Sequence, residues 1–421
     1  MKVEQALEKL FSLHAFGIKL GLENINLFLE RLENPQLKLK TFHIAGSNGK
    51  GSTSSFIASM LMELGYKVGL YTSPHFVHFN ERIKINNGQI PDDYVANFIS
   101  ANEKYIDEQK LTFFEVTTAL AFQYFAEQKV DYAAIETGLG GRLDATNVLK
   151  PGNIVITSIS LEHTNILGNT IREIAAEKAA IIKQHSHVFI GKLPVDAMTV
   201  IEEKCAATQS ILFKIEDYVI EKKNFLELYT EEIEIDDFKM PLYGKYQKYN
   251  AALSALAVSK FLEIDNFRAI EHGIKNVIKN TGLQGRFEFY WKKPDIIFDS
   301  AHNPESIHNF MEEFKEHVNR YEKKVLLFGV MKDKSIKEIL SLLKDHFDEI
   351  HITEVNNERS SKLEELHDIA RQLSIRVIAE SDPARFVEKF KNENENNCLV
   401  VAGSMYLLGE IKSSTQFQIS A

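Results

Sequence analysis

The feature of this sequence that most constrains its fold is the alternation of short β-rich runs with segments of helical length, which begins at residue 41. The first series contains five strand candidates: "TFHIAG", "KVGLYTS", "DYAAIETG", "NIVITSI" and "HVFIG". Helical patterns intervene at Ser52–Gly65, Pro91–Gln109, Val116–Gln128 and Ile171–Lys183. Because parallel strands need long crossover connections, this alternation predicts an α/β fold with a mostly parallel sheet.

A second alternating series begins near residue 295, with strand candidates "DIIFDSA", "KVLLFGVM", "EIHITE", "RVIAE" and "CLVVAGS". Before it, the charged segment Ile211–Asp237 alternates as β-strands do and predicts a small antiparallel sheet on the flank, and "KYNAALSALAVSKFL" predicts a helix. Ile278–Glu288 is the predicted linker, because it contains two glycines and no apolar periodicity. We therefore expect two α/β domains, 1–284 and 285–421.

Composition and charge exclude several classes of protein. The formal net charge of −10 argues against a general nucleic-acid or membrane-surface binder, because such a protein needs a basic face. The cysteines are Cys205 and Cys398 alone, so no disulfide framework is predicted and a reducing compartment is expected. The N-terminal "MKVEQALEKLFSL" has an amphipathic helical pattern unlike a signal peptide, and no stretch approaches about 18 apolar residues. A cytoplasmic protein is expected.

The stretch "HIAGSNGKGSTSSFIASML", residues 43–61, has the layout of a phosphate-binding loop, with an apolar segment, a glycine-rich turn and a run of helical periodicity. It departs from the usual pattern G-x-x-x-x-G-K-[ST] at two positions. Ile44 stands where the first glycine is expected, and Gly51 separates Lys50 from Ser52. These departures raise the question whether the loop binds a nucleotide.

The chemistry of the loop favours nucleotide binding. Its three glycines allow backbone N–H groups to converge on an anion at a helix N-terminus. Lys50 supplies a positive charge, and the hydroxyl of Ser52 or Thr53 suits Mg²⁺. The alternative is a glycine-rich strand-to-helix turn with an incidental lysine. The strand before the loop and the helix after it favour the nucleotide site.

Polar side chains also follow later strand candidates, where ligands collect in open parallel sheets. Ser73 either binds a hard cation or opens a Ser-Pro turn, and Glu136 either holds Mg²⁺ on a triphosphate or ends a strand before a flexible turn. His163 either ligates a metal or satisfies a buried carbonyl. Lys178, among alanines and isoleucines, is either a snorkelling surface residue or a buried functional amine with a depressed pKa.

The second series carries "DIIFDSAHNPES", which places Asp299, His302 and Asn303 at a strand-to-helix turn, with Pro304 suited to open the helix. Arg286 lies in the predicted linker and has the planar donor set that clamps a phosphate. Ordinary helix capping is the alternative for these residues. Their joint appearance at a domain junction predicts an active site between the two domains.

Together these stretches resemble the folylpolyglutamate synthase/dihydrofolate synthase family, within the Mur ligase superfamily. The resemblance covers roughly residues 18–412 and rests on motifs in the family's order and spacing: "AGSNGKGST", "YTSPHFVHFNERI", "FFEVTTALAF", "IETGLGGRLDATN", "SISLEHTNILG", "EKAAIIK", "GRFE", "DSAHNPES" and "GSMYLLGEI". The glycine between Lys50 and Ser52 is similar to the folate branch, whereas cell-wall ligases place Ser or Thr directly after the lysine. The resemblance implies a P-loop-type, mostly parallel sheet domain followed by a smaller Rossmann-like α/β domain, with the active site between them.

The activity that the resemblance implies is that of an ATP-dependent amide ligase. A folate-type carboxylate takes the γ-phosphoryl group of ATP to form an acyl phosphate, and the amine of L-glutamate attacks that carbonyl. The expected enzyme is bifunctional: it lengthens the glutamate tail of tetrahydrofolate and converts dihydropteroate to dihydrofolate. The expected cofactors are ATP and two Mg²⁺ ions, with a monovalent cation as an optional addition. A monomer is expected.

By position, the resemblance assigns a role to each matching residue. The ATP-binding residues are Ser47, Asn48, Gly49, Lys50, Gly51, Ser52, Asn250, Arg286 and Asp299. The metal ligands are Ser73 and Glu136 for the first Mg²⁺, and His163 and Lys178, the latter as a carbamate, for the second. The residues that hold the pterin-bearing substrate are Thr112, Phe113, Phe114, Glu115, Leu143, Asp144 and Ala145. The catalytic residues are Lys50, Lys178 and His302.

The sequence departs from the family pattern at two places. "EKAAIIK" has Ala180 where a glycine is common, which leaves Lys178 in place. Lys19 stands in the N-terminal pterin-contacting segment, where some bifunctional members carry an acid, and it bears on the preference between dihydropteroate and reduced folates. Two other functions compete with the folate ligase. They are an amino-acid ligase of the superfamily that acts on a non-folate carboxylate, and a non-enzymatic P-loop nucleotide switch.

Overall fold

The computed structural model describes residues 2–13, 17, 21–222, 226–236, 239–263 and 266–419. They form two compact units, of which the first takes its residues from 1–73, 80–241 and 248–282, and the second from 74–79, 242–247 and 283–421. Lys19 lies outside the described residues. In the part of the chain that is described, no helix is both long and apolar enough to cross a membrane.

The first unit follows the alternation predicted for it. Its strands are β1 (Thr41–Ala45), β2 (Val68–Tyr71), β3 (Ile83–Ile85), β4 (Gly88–Gln89), β5 (Tyr132–Glu136), β6 (Asn153–Ile156), β7 (His187–Ile190), β8 (Ile211–Lys214), β9 (Val219–Glu221), β10 (Leu226–Tyr229) and β11 (Glu234–Ile235). The helices up to its end are α1 (Val3–Ser12), α2 (Glu23–Arg31), α3 (Lys50–Glu63), α4 (Asp92–Glu108), α5 (Phe113–Glu127), α6 (Thr164–Leu167), α7 (Ile171–Ala179), α8 (Val195–Ala207), α9 (Lys245–Leu262), α10 (Phe267–Lys275) and α11 (Val277–Thr281).

An eight-stranded sheet lies at the centre of this unit, in the order β4-β3-β2-β5-β1-β6-β7-β8. The pairs from β2 to β8 are parallel, and β3 and β4 add an antiparallel edge. The fully buried β1 lies between β5 and β6, with Ile44 opposite Glu136 and Ala45 opposite Ile156. The carboxyl ends of these three strands therefore meet at one edge of the sheet, where ligands bind in open α/β folds.

The helices behind this edge are fixed by apolar packing. One face of β6 and β7 packs against α7 and α8, in a buried cluster that includes Ile156, Ile190, Ile174 and Ile201. Burying each such side chain contributes about 1.5–3 kcal/mol relative to leaving it exposed. This packing holds α7, which carries Lys178, against the sheet.

The prediction for Ile211–Asp237 was wrong at its first strand. Ile211 pairs in parallel with His187, so β8 is the eighth strand of the main sheet. The physical reason is that α8 supplies a crossover of the length that a parallel pair requires. The remainder is confirmed, because β9, β10 and β11 form a separate antiparallel sheet.

The second unit is also an α/β structure. Its strands are β12 (Glu288–Trp291), β13 (Asp295–Phe298), β14 (Lys323–Phe328), β15 (Glu349–Ile352), β16 (Ile378–Ala379) and β17 (Asn397–Ala402). Its remaining helices are α12 (Pro304–His317), α13 (Ile336–Leu343), α14 (Leu363–Gln372), α15 (Pro383–Phe390) and α16 (Met405–Ile419). The sheet order is β12-β13-β17-β14-β15-β16, and all pairs except β12–β13 are parallel.

The predicted linker Ile278–Glu288 is shorter than expected. Residues up to Thr281 belong to α11, and Glu288 already begins β12. Gly282 ends α11 in the left-handed conformation, with φ 67°. A left-handed glycine commonly follows the last residue of a helix, so Gly282 marks the end of α11. The prediction took this glycine as a sign of a linker and therefore included the last residues of the helix.

Candidate active site

The glycine-rich loop lies between the end of β1 and the start of α3. Gly46 and Gly49 have φ values of 154° and 86°, and Gly49 is the N-cap residue of α3. A Cβ atom on Gly46 would lie 1.9 Å from Oγ1 of Thr157, so only glycine fits there. The Nζ of Lys50 donates to the carbonyl oxygens of Gly46 and Ser47, at 2.7 and 3.1 Å. The lysine therefore lies over the loop, at the N-terminus of a helix.

The segment after β6 fixes the conformation of this loop. The backbone N–H of Ser47 donates to the carbonyl of Ser158 (2.8 Å), and that of Asn48 donates to the hydroxyl of Ser158 (2.9 Å). The hydroxyl of Thr157 donates to the carbonyl of Asn48 (2.6 Å). Sequence reasoning did not assign Thr157 or Ser158 to the site, although both belong to a polar run directly after a strand. They orient the loop through its backbone.

Glu136 ends β5 beside the loop and is only 5% exposed. Its Oε2 accepts a hydrogen bond from the backbone N–H of Ser73 at 3.0 Å. A Cβ atom on Gly51 would lie 3.5 Å from the same oxygen. The structure thus brings Ser73, Glu136 and the first turn of α3 together. Within the described residues no group of three or more His, Cys, Asp or Glu side chains could hold a metal ion, so a cation here would also need ligands from phosphates and water.

Lys178 is buried on α7, with 1% exposure, which rules out the snorkelling surface residue. Its Nζ donates to Oε1 of Glu162 at 2.7 Å and to the carbonyl of Gly46 at 3.0 Å. Burial lowers the pKa of Lys178, and Glu162 opposes that effect. Burial would raise the pKa of Glu162, but the ammonium groups of Lys178 and Lys50 outweigh it and bring the pKa to about 2. Lys178 is therefore a buried amine attached to the glycine-rich loop, and Glu162 was missed.

His163 directly follows Glu162. It adopts the left-handed conformation, with φ 45°, and precedes the short helix α6. A non-glycine residue in this region carries a conformational cost that the surroundings must offset. His163 therefore has a strained backbone immediately after the carboxylate that binds Lys178.

The two segments assigned to the pterin-bearing substrate are both held by local contacts. Thr112 caps α5, and its backbone N–H and hydroxyl donate to Oε2 of Glu115 at 2.7 and 2.8 Å. The guanidinium of Arg82 lies 5.1 Å from the ring centre of Phe113. A Cβ atom on Gly138 would lie 2.4 Å from Cζ of Phe114. The start of α5 therefore packs against the glycine-rich segment that follows Glu136.

Asp144 holds that second glycine-rich segment by its backbone. Its Oδ2 accepts hydrogen bonds from the N–H groups of Gly138 and Leu139 at 2.8 and 2.9 Å. Its Oδ1 accepts from the N–H of Thr146 at 3.0 Å and from the hydroxyl of that residue. Burial raises the pKa of Asp144, and these hydrogen bonds oppose the shift. On either side, Leu143 is partly exposed and Ala145 begins a single 3₁₀ turn.

Asn250 lies on α9 and is 9% exposed. A Cβ atom on Gly49 would lie 2.7 Å from Oδ1 of Asn250. The side chain of Asn250, the predicted ATP contact, therefore lies against Gly49 of the glycine-rich loop, although the two residues are 201 positions apart in the chain.

In the second unit, the predicted residues surround the end of β13. The guanidinium of Arg286 donates to the hydroxyl of Ser300. Asp299 accepts from the backbone N–H groups of Phe287 and Ala301 at 2.7 and 2.8 Å. Burial raises the pKa of Asp299 to about 6, and the nearby charge of Arg286 opposes the shift. Nδ1 of His302 lies 2.8 Å from the carbonyl oxygen of Ser300.

The helix after this turn begins as predicted. Pro304 is its first residue, and Oδ1 of Asn303 accepts from the N–H of Ser306 at 2.8 Å. The capping interpretation therefore accounts for Asn303. It does not account for Arg286, Asp299 and His302, which lie before the cap.

Comparison with known proteins gives this arrangement its class. Residues 44–258 match the Mur ligase middle domain, and residues 285–405 match the Mur ligase glutamate ligase domain. The fold and the site define an ATP-dependent ligase of the Mur type. The dihydrofolate synthase/folylpolyglutamate synthase of Bacillus subtilis is 36% identical over 416 residues, which cover 94% of this chain and 95% of that protein. The chain belongs to the folylpolyglutamate synthase/dihydrofolate synthase family.

Solved structures agree over the whole length. The folylpolyglutamate synthase of Thermotoga maritima has a TM-score of 0.84 at 32% identity, and the match covers 99% of this chain and 97% of that one. FolC of Escherichia coli, in complex with DHPP and ADP, has a TM-score of 0.86 at 27% identity, with coverage of 100% and 99%. The expected α/β fold class is confirmed, and the nucleotide switch is excluded as an alternative.

Proposed function

We propose that this ligase joins the amine of L-glutamate to the carboxylate of a folate-type acceptor, and that it accepts both dihydropteroate and tetrahydrofolates. The observation that carries the proposal is the Glu136 carboxylate beside Gly51, at the start of the helix that follows the glycine-rich loop. Phosphoryl transfer requires a loop that binds the triphosphate and a carboxylate that holds the accompanying metal ion. The double name of the Bacillus subtilis relative supports two acceptors.

The proposed reaction has two chemical steps. A carboxylate oxygen of the acceptor attacks the γ-phosphorus of ATP, so that ADP leaves and an acyl phosphate forms. The glutamate amine attacks the acyl carbon and loses a proton, and inorganic phosphate leaves with the electron pair of the broken C–O bond. Because negative charge develops on phosphoryl oxygens, the protein contributes mainly positioning and cationic stabilisation.

The residues of the loop suit the first step. The first N–H groups of α3, from Lys50 onward, point out of the helix N-terminus and favour an anion there. The Lys50 ammonium adds a full charge at the same place. We assign further nucleotide contacts to Asn250, Arg286 and Asp299, and an approach to the phosphates to His302.

The residues at the strand ends suit Mg²⁺. Ser73 and Glu136 offer oxygen donors, and an ion held there would polarise the phosphoryl oxygens. We assign a second ion to His163 and Lys178. As the ammonium group that donates to Glu162, Lys178 offers a cation no ligand, whereas a carbamate would add an anionic group beside Glu162. Two such anions are stable side by side when a cation lies between them, which supports the pairing of the carbamate with a metal ion.

We further propose that the enzyme is monomeric and cytoplasmic. The net charge of −10 supports the proposal that it binds neither nucleic acid nor a membrane surface. The Lys-Gly-Ser order at residues 50–52 and the folate ligases among its relatives favour a folate acceptor over another carboxylate.

The test of this function is phosphate release with ATP, Mg²⁺ and L-glutamate, in parallel with dihydropteroate, with tetrahydrofolate and without an acceptor. We expect release that needs both glutamate and a pterin acceptor, and products one glutamate heavier by mass spectrometry. Lys50→Met should lose this release, whereas Lys104→Met, at a side chain 89% exposed on α4, should keep it. Release that no pterin stimulates would contradict the proposal and favour a ligase for a different carboxylate.

A further inference from the structure

Arg286 lies in a short turn of the second unit, residues 284–288, that a distant lysine holds in place. Lys412, on α16, is 7% exposed. Its Nζ donates to Oε1 of Gln284 at 2.7 Å and to the two carboxylate oxygens of Glu288 at 2.9 and 2.8 Å. The two ends of the turn are therefore attached to one ammonium group.

The contact continues through Glu288 to the residue before Arg286. Oε2 of Glu288 also accepts a hydrogen bond from the backbone N–H of Gly285 at 2.7 Å. Gly285 has φ 65°, and a Cβ atom on it would lie 2.5 Å from Cζ of Phe76. The carboxylate that Lys412 holds thus fixes a left-handed residue, and that residue sets the direction in which Arg286 leaves the backbone.

The other side of Arg286 is fixed separately, because the N–H of Phe287 donates to Asp299. Lys412 adds nothing to that contact. It does lie against aromatic rings, 5.3 Å from the ring centre of Phe76 and 5.8 Å from that of Phe298. A buried ammonium is costly to desolvate, and a well-packed apolar residue in its place often stabilises a fold as much as the buried ion pair does. The presence of a lysine at position 412 is therefore better explained by the geometry that its hydrogen bonds impose on the turn.

We propose that Lys412 is a positioning residue for Arg286: through Glu288 and Gly285 it holds the guanidinium in the orientation that binds ATP. This inference rests on the proposed contact between Arg286 and ATP. Lys412 acts through this turn and is assigned no contact of its own with ATP or with the acceptor. Its loss therefore weakens ATP binding and leaves the chemical step and the acceptor site unchanged.

The experiment is a double-mutant cycle in the full-length enzyme, with KM for ATP, KM for dihydropteroate and kcat as readouts. Because each variant loses the charge-assisted contact of the guanidinium with ATP, Arg286→Ala and Lys412→Met should each raise KM for ATP about tenfold or more. If Lys412 acts through Arg286, the double variant is no worse than Arg286→Ala alone. KM for dihydropteroate and kcat of Lys412→Met should stay within about twofold of wild type.

The matched control is Lys391→Met. Lys391 lies in the same unit, binds Glu388 at 2.6 Å and lies 4.7 Å from the ring centre of Trp291, but within the described residues it makes no hydrogen bond to residues 284–288. It should leave KM for ATP unchanged. If circular dichroism shows that Lys412→Met is unfolded, Glu288→Gln tests the same ion pair from its more exposed partner, whose side chain is 30% exposed. This variant should also raise KM for ATP.

Three results would overturn the inference. An unchanged KM for ATP in Lys412→Met, with Arg286→Ala impaired, removes the role of Lys412 and leaves the proposed function intact. Effects that multiply in the double variant show that Lys412 acts independently of Arg286. An unchanged KM for ATP in Arg286→Ala removes the proposed nucleotide contact itself, and with it the inference.

Discussion

Nζ of Lys178 lies 2.7 Å from Oε1 of Glu162, and both side chains are buried. The same ammonium binds the carbonyl oxygen of Gly46, the first glycine of the glycine-rich loop. A buried ion pair contributes little to stability relative to apolar residues of similar volume. Its position directly behind the loop therefore indicates a functional reason for this pair.

The first prediction concerns this pair. Lys178→Ala should abolish turnover, and in the unmodified, metal-free protein it should also cost about 3–5 kcal/mol of stability, because it leaves the Glu162 carboxylate buried without its ammonium partner. The double variant Lys178→Met/Glu162→Gln keeps the volume without a buried charge, so its melting temperature should return towards wild type while it stays inactive. Phosphate release and thermal melting measure the two effects. Near-normal turnover in the double variant would remove Lys178 from the mechanism.

The second prediction compares the two ends of α3. Gly49 and Gly65 have similar φ values, 86° and 89°, so alanine at either should cost roughly 1–2 kcal/mol of stability. A Cβ atom on Gly65 has no neighbour within 4 Å, whereas one on Gly49 displaces the Asn250 amide. Only Gly49→Ala should therefore raise KM for ATP, by about tenfold or more, which corresponds to 1.4 kcal/mol. Equal KM values in the two variants would contradict the role of the loop.

The third prediction concerns pH. His43 is buried in β1, with Nε2 2.8 Å from the hydroxyl of Thr146, and burial, followed by the charge of Lys183, lowers its pKa from 6.5 to about 3. The unfolded chain therefore binds a proton more readily than the folded one between these values. The contribution of neutral His43 to the free energy of unfolding is therefore fully present above pH 6.5. It is lost as the pH drops from 6.5 towards 3, by about 1.4 kcal/mol per pH unit.

His43→Gln removes this titration. The denaturation midpoint of wild type should therefore fall more steeply than that of the variant between pH 7 and pH 5. Parallel curves would show that the pKa of His43 is not depressed.

The fourth prediction concerns the start of α5. Thr112→Ala removes the cap that accepts from the N–H of Glu115, and should cost about 1 kcal/mol, whereas Thr112→Ser keeps it. Because the cap sets the position of Phe114, KM for dihydropteroate should rise in the alanine variant alone. Urea denaturation and steady-state kinetics measure both. A destabilised Thr112→Ala with an unchanged KM would restrict this segment to a structural role.

The parts of the site that sequence could predict are those set by strand order. Polar residues such as Ser73 and Glu136 directly follow apolar runs, and parallel strands bring their carboxyl ends to one edge. The glycine-rich loop could also be located from sequence, because its glycines and Lys50 lie within a few residues of one another, but Thr157 and Ser158, which fix its conformation, come from a distant segment.

The parts that sequence could not predict are set by packing between distant segments. Glu162 was missed because nothing near it in the chain indicates that it reaches Lys178 on the next long helix. The attachment of Gln284 and Glu288 to Lys412 spans well over a hundred residues. Ile211 was placed in the wrong sheet because its own sequence carries no signal for the strand beside it.

The central claim is that ATP activates the acceptor carboxylate, and isotope transfer tests it most directly. Dihydropteroate labelled with ¹⁸O in its carboxylate is turned over with ATP and L-glutamate, and the released phosphate is measured by mass spectrometry. An acyl phosphate carries a carboxylate oxygen into the phosphate, so each phosphate should contain one ¹⁸O. Phosphate without label, at the same yield of glutamate-extended product, would contradict activation through an acyl phosphate.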